Sequence, residues 1–177
     1  MITTLALVLA ILLFSLGFMY AKPVLVARLV LAASRYALGL RRREIAIPGF
    51  KMVYLEGGKG PPLVLLHGMG ADKDNFLLVA RLLRRRFRVL IPDLPGFGDS
   101  DKPDDVRYGV EDQTHRLRMF AAKLGLLRFH IGGNSMGGLI AGAYAVAHPQ
   151  QIESVWLLAP AGVRAAEASE LMQAVES

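Results

Sequence analysis

Cysteine is absent from the 177 residues, which excludes a disulfide framework, thiolate metal sites and a cysteine nucleophile. Histidine is scarce, with four residues at positions 67, 115, 130 and 148 and none after them. No acidic residue precedes Glu44, although Lys22, Arg28, Arg35, Arg41, Arg42 and Arg43 all lie before it. Those side chains carry the whole net charge of +6, and the rest of the chain is balanced. A globular part without net charge has no electrostatic footprint for nucleic acid. Hydrophobic residues make up 53% and charged residues 20%, a composition that excludes intrinsic disorder.

Charge is also missing from Ile2 to Ala21, ITTLALVLAILLFSLGFMYA. As a helix that run reaches about 30 Å, the thickness of a bilayer's hydrocarbon core. It is longer than the apolar part of a cleaved secretory signal and no Lys or Arg precedes it, so we expect a transmembrane anchor over residues 1–21. Residues 22–43 continue apolar with Arg28, Arg35 and Arg42 at intervals of seven, the pattern of a basic amphipathic juxtamembrane helix. Since the positive charges all follow the apolar run, the positive-inside rule places the bulk of the chain on the cytoplasmic side of a membrane.

Beyond Arg43 the pattern changes to short extended pieces. Residues 44–47 and 51–55 flank a Pro48-Gly49 turn and predict an antiparallel hairpin at a sheet edge. Leu63-Val64-Leu65-Leu66 is apolar on both faces, as a central parallel strand requires. A helix is predicted over roughly 75–85, with Asp72 or Asp74 as its cap and Phe76, Val79, Ala80 and Leu83 inward. A strand over 88–91, a helix over 110–124, a strand over 128–134, a small-residue helix over 135–147 and a strand over 154–159 complete the pattern. Such alternation means an α/β protein with a mostly parallel sheet and helices on both faces.

Three loops following these strands carry the residues suited to chemistry. They read His67-Gly68-Met69-Gly70, then Asp93-x-x-Gly96-x-Gly98-x-Ser100, then Gly133-Asn134-Ser135-Met136-Gly137-Gly138. Gly133-x-Ser135-x-Gly137 has the pattern of a nucleophile elbow, a serine on a strained strand-to-helix turn with glycines that let neighbouring backbone pack close. Chance produces such a pattern in a chain of this composition with a probability of roughly 5–10%, so its context decides. Here an apolar strand precedes it and a helix follows it to His148-Pro149.

In this order and spacing the three motifs resemble the α/β-hydrolase family. HGMGADKDNF at 67–76, GNSMGG at 133–138 and LAPAGV at 158–163, behind a single N-terminal membrane helix, are most similar to membrane-anchored monoacylglycerol lipases of the abhydrolase type. The resemblance implies an α/β-hydrolase domain over 44–162, the start of a cap at 163–177, and hydrolysis of lipid esters without metal or organic cofactor. It implies Ser135 as nucleophile, with the backbone N–H groups of Met69 and Met136 as oxyanion donors. His67 then orders the oxyanion loop, Gly68, Gly133 and Gly137 give close backbone packing, and Asp93 braces the loop from Pro95 to Ser100. His115, His130 and His148 read as solvated or capping, and Arg84-Arg85-Arg86 as a solvated helix end. Epoxide hydrolases and dehalogenases are disfavoured, because they carry an aspartate where Ser135 stands. A carbon–carbon bond hydrolase of meta-cleavage products remains the enzymatic alternative, since GNSMGG occurs there too. A non-catalytic membrane-attached fragment that binds a partner through its sheet edge is the alternative outside enzymes.

The chain departs from the family's order of Ser, then Asp or Glu, then His. Glu153, Glu167, Glu170 and Glu176 follow Ser135, but no histidine follows His148. We therefore expect the N-terminal part of an esterase, inactive alone for want of a base. Its strand around Val155 to Leu158 should form an open apolar edge that destabilises residues 44–177.

Overall fold

The computed structural model describes residues 16–163 together with Thr4 and Leu13. It divides into two compact units, Met1–Gly39 and Leu40–Ser177. In the first, helix α1 (Pro23–Ala37) opens on a proline, whose missing N–H costs nothing in a first helical turn. It closes through Leu38 N–H to Ser34 O and Gly39 N–H to Tyr36 O, with Gly39 in the left-handed region. None of its residues is buried, and Val24, Leu25, Leu29 and Val30 are exposed.

Most of the anchor expected over 1–21 falls outside the described residues, and among those described no helix is long and apolar enough to cross a membrane. The juxtamembrane helix expected to reach Arg43 needs correction, because it stops at Ala37 and Arg41, Arg42 and Arg43 open the first strand. Gly39 turns the chain and Leu40 is buried, so Arg42 shares no helical face with Arg28 and Arg35.

The second unit is built on one six-stranded sheet. Its strands are β1 (Arg41–Ile47), β2 (Phe50–Gly57), β3 (Pro62–Leu66), β4 (Arg88–Pro92), β5 (Phe129–Asn134) and β6 (Ile152–Leu158). They lie in the order β1-β2-β4-β3-β5-β6. The expected hairpin is β1–β2, with Ile47 opposite Phe50, and β2 joins β4 antiparallel. From β4 through β3 and β5 to β6 every pairing is parallel. The predicted helix after β3 is shorter than expected and begins as a 3-10 turn, Lys73–Phe76, that runs into α2 (Leu77–Leu83). Asp72 caps the turn by accepting the Asp74 N–H at 2.9 Å. Helices α3 (Val110–Lys123) and α4 (Met136–Ala147) fall where the sequence predicts them.

Burial of β3 on both faces fixes the middle of the sheet. Val64 and Leu66 join Leu117 and Phe120 of α3 and Ile140 and Tyr144 of α4 in one core, where the Tyr54 ring meets Phe120 edge-on at 5.3 Å. Leu63 and Leu65, on the opposite face by the period of two, are buried as well. The chain passes from β3 to β4 on one side and then crosses to β5 on the other, so strand order reverses beside β3. In open α/β sheets the crevice at the strands' carboxyl ends beside such a reversal is where ligands sit. The loops after β3 and β5 meet there.

Among the described residues β6 is paired on one side alone, and Val155, Trp156, Leu157 and Leu158 are each at least 40% exposed. An unpaired apolar edge is a template for association with another chain. Residues 40–177 expressed alone should therefore sediment as oligomers, and Trp156→Lys should raise the monomer fraction. A monomeric, cooperatively unfolding product would contradict this.

Candidate active site

Strand β5 reaches the carboxyl end of the sheet at Asn134, and the chain reverses at Ser135. The serine backbone sits at φ 50 and ψ −116, a conformation that penalises any side chain. Surrounding bonds enforce it. Ser135 N–H donates to Leu158 O at 3.0 Å, while Ser135 O accepts the N–H groups of Leu139 at 3.1 Å and Ala161 at 3.0 Å. Asn134 Nδ2 donates to the same Leu158 O at 3.3 Å. Thus β6 and its exit loop hold the strained residue in place.

The flanking glycines are required by close approach rather than by turn geometry. A Cβ on Gly133 would lie 2.2 Å from the Gly137 carbonyl carbon, and one on Gly137 would lie 2.2 Å from Leu66 O. Helix α4 therefore rests directly on the backbone of its own strand and of β3. It has no side-chain cap at its start, so its first N–H groups, Met136 among them, lack intrahelical partners and carry the positive end of the helix dipole.

The loop after β3 runs alongside. A Cβ on Gly68 would stand 3.1 Å from Asn134 Oδ1 and 3.4 Å from Ser135 Cβ, so this backbone passes in contact with the serine. Met69 follows, a residue 71% exposed, and none of the described hydrogen bonds uses its N–H. His67 is buried at the base of this loop, with Nδ1 2.9 Å from Gly68 O and Nε2 accepting the Leu94 N–H at 3.1 Å. To accept, Nε2 must keep its lone pair, which puts the proton on Nδ1 as a donor to Gly68 O. Burial pushes the His67 pKa below its ordinary value, so the ring is neutral at pH 7. With both nitrogens committed, His67 has none to offer Ser135.

Asp93, fully buried, organises the neighbouring loop. Its Oδ1 accepts the Lys73 N–H at 2.7 Å, and its Oδ2 accepts Lys73 Nζ at 2.8 Å and the Asp99 N–H at 2.7 Å. Asp99 places its own carboxylate 2.8 Å from Lys73 Nζ and 3.4 Å from Arg42 Nε. Ser100 Oγ donates to Asp93 O and accepts the Val53 N–H, each at 2.8 Å. Burial is the largest influence on Lys73 and opposes its charge, yet hydrogen bonds to Asp93 and Asp99 outweigh it and its pKa lies above the usual lysine value. The same bond from Lys73 holds Asp99 below the usual carboxylate range.

The structure brings Ser135, Met136, Gly133, Gly137, His67, Gly68 and Met69 together and leaves the other histidines elsewhere. His115 is exposed on α3, His130 bonds Ser154 Oγ at 2.8 Å near the amino end of β5, and His148 meets the Tyr144 ring edge-on at the end of α4. Among the described residues no carboxylate hydrogen-bonds a histidine. Glu153 pairs with Arg128 at 2.7 Å, and Glu167, Glu170 and Glu176 lie outside the described residues.

Sequence reasoning missed three supports of the site. Lys73, to which the sequence assigned no role, is buried. Gln113 donates to Pro95 O at 2.7 Å, and the Arg116 guanidinium stacks 4.5 Å from the Phe50 ring and 5.1 Å from the Tyr108 ring. On α3 both sit on the inward face, a position their polarity hid.

A largely parallel sheet, a serine held at positive φ between strand and helix, and a glycine-containing loop pressed against it define a nucleophile-elbow protein of the α/β class. The model of the alpha/beta hydrolase fold family matches residues 61–176, and the chain belongs to that family. It is 48% identical over 117 residues to Lipase 1 of Psychrobacter immobilis, covering 64% of this chain and 37% of that protein. To monoacylglycerol lipase abhd6-B of Xenopus laevis it is 34% identical over 134 residues, covering 73% of this chain and 40% of that one. A crystal structure described as a membrane phospholipase A, a novel bacterial virulence factor, superposes with a TM-score of 0.82 at 42% identity, covering 99% of this chain and 57% of that chain. The chain thus spans roughly two fifths of the length of these curated relatives.

Proposed function

We propose that the polypeptide carrying this sequence is a serine hydrolase of carboxylic esters that acts on lipid esters such as monoacylglycerols. The observation that carries the proposal is Ser135 at φ 50, at the uncapped start of α4, with the Gly68 backbone against it and Met69 next in that loop. Ser135 Oγ attacks the ester carbonyl, and the N–H groups of Met69 and Met136 receive the developing oxyanion. Loss of one such donor costs about 3–4 kcal/mol of transition-state stabilisation. The reaction needs no metal or organic cofactor, because the nucleophile and the oxyanion donors are protein groups. His67 is committed on both nitrogens, so it does not serve as the base for Ser135.

The relatives' names, a lipase, a monoacylglycerol lipase and a phospholipase A, support lipid esters as the substrate class. The uncharged run from Ile2 to Ala21 and the basic residues after it support a membrane anchor with the catalytic domain on the cytoplasmic side. Helix α1, with Leu25, Leu29 and Val30 exposed and Lys22 and Arg28 beside them, suits the interface of an anionic bilayer. The test uses the full-length gene product with monoacylglycerol in vesicles and a water-soluble short-chain ester. Hydrolysis should be faster on the vesicle-borne ester, and absence of hydrolysis on both would contradict the reading.

A further inference from the structure

Lysine is among the residues least often fully buried, yet Lys73 is 1% exposed. Its place in the fold is specific. The segment from Leu66, paired with Gly133 in the sheet, to Lys73 is the loop that carries Met69. Within it Met69 stands between Gly68 and Gly70, Gly70 sits at φ 68, and a Cβ there would touch nothing within 4 Å. Ala71 N–H donates to Gly68 O at 3.2 Å and closes a turn over Met69 and Gly70, so the direction of the Met69 N–H is set by how this turn is held at its two ends. His67 holds one end through Gly68 O and Leu94 N–H, and the two bonds from Lys73 to Asp93 hold the other.

We infer that Lys73 is a positioning residue for the oxyanion hole, its ammonium fixing the Met69 loop against the loop that begins at Asp93. Resting on the ester-hydrolase reading above, the inference assigns to Lys73 no contact with substrate. The Asp93 and Asp99 carboxylates each approach Nζ to 2.8 Å, and that of Asp74 stands 4.0 Å away. Without the cation the Asp93 and Asp99 carboxylates lose the positive charge they share. Like charges so placed separate or take up a proton, and either response moves Lys73 N–H and Asp99 N–H, which Asp93 now holds. Such a shift reaches Met69 through the few residues between.

The experiment uses the full-length polypeptide, wild type and carrying Lys73→Met, Asp99→Asn or both, with competent serine counted by fluorophosphonate titration. In Lys73→Met, kcat per titrated site should fall about 30–100-fold while KM for a soluble ester moves less than about threefold, the signature of an interaction made in the transition state. Affinity for a trifluoromethyl ketone, which forms a tetrahedral oxyanion on Ser135, should fall by the same factor as kcat/KM. The double variant should recover about fivefold or more over Lys73→Met, because an amide at 99 removes the repulsion and can donate to Asp93.

Wild-type kcat and ketone affinity in Lys73→Met, whatever its melting temperature, would overturn the inference and leave Lys73 a purely structural role. Should Lys73→Met fail to fold, Asp99→Asn at the half-exposed end of the cluster carries the test. Its kcat should drop roughly three- to tenfold, and an unchanged kcat overturns the inference. Failure of the hydrolase reading is distinct, because the wild-type protein itself would then neither label nor hydrolyse ester.

Discussion

Replacing Ser135 by alanine should lower ester turnover by the full-length polypeptide on the order of 10⁶-fold, the loss found when a serine hydrolase is deprived of its nucleophile. Folding should survive, because the hydroxyl contributes none of the bonds that hold this residue; they run through Ser135 N–H and Ser135 O. Alanine keeps a Cβ at φ 50 and inherits the backbone strain, whereas glycine does not. Ser135→Gly should therefore be equally inactive but more stable than Ser135→Ala by about 1 kcal/mol, measurable by urea denaturation. Activity is taken from stability at this one residue, and equal stability of the two variants would remove the argument for a strained elbow.

Gly137→Ala should have the second large effect, on stability and activity together. The added Cβ would meet Leu66 O at 2.2 Å and His67 O at 2.5 Å, both backbone atoms that no rotamer change can move. Helix α4 would have to lift from the end of β3, at a cost on the order of 3 kcal/mol or more. The shift would also carry the Met136 N–H away from Ser135, so the fraction that still folds should hydrolyse ester far more slowly. Gly142 on the same helix is the control, since a Cβ there meets nothing within 4 Å. Gly142→Ala should stabilise by up to about 1 kcal/mol through helix propensity alone. Thermal melts of the two variants separate close backbone approach from any general intolerance of α4.

Both residues were legible in the sequence because their signals are local. A strand apolar on both faces, a break at paired glycines and a small-residue helix lie within a few residues of one another, and the fold realises them as β5, Ser135 and α4. The central strand β3 was legible for the same reason.

Partners far apart in the chain were hidden. Arg42 repeats the helical spacing of Arg28 and Arg35, yet it lies in β1, where Arg41 pairs with Glu56 in the hairpin register and Arg42 itself reaches Glu44 and Asp99. Local periodicity could not anticipate a carboxylate supplied by another loop. Lys73 was hidden likewise, since its partner Asp93 stands one strand later and only the sheet brings the two together. Gln113 and Arg116 sit on the buried face of α3 while being polar, so hydropathy gives no signal of their inward placement. The acid and the base of a triad were not legible for another reason: no histidine after Ser135 other than His148 occurs, and His148 packs on Tyr144.

The central claim is that Ser135 is a nucleophile, and covalent trapping tests it most directly. The full-length polypeptide should be inactivated by a fluorophosphonate, and mass spectrometry of its peptides should place a single adduct on Ser135 that is absent from Ser135→Ala. Active ester hydrolysis with the adduct on another residue, or with Ser135 unmodified, would contradict the account.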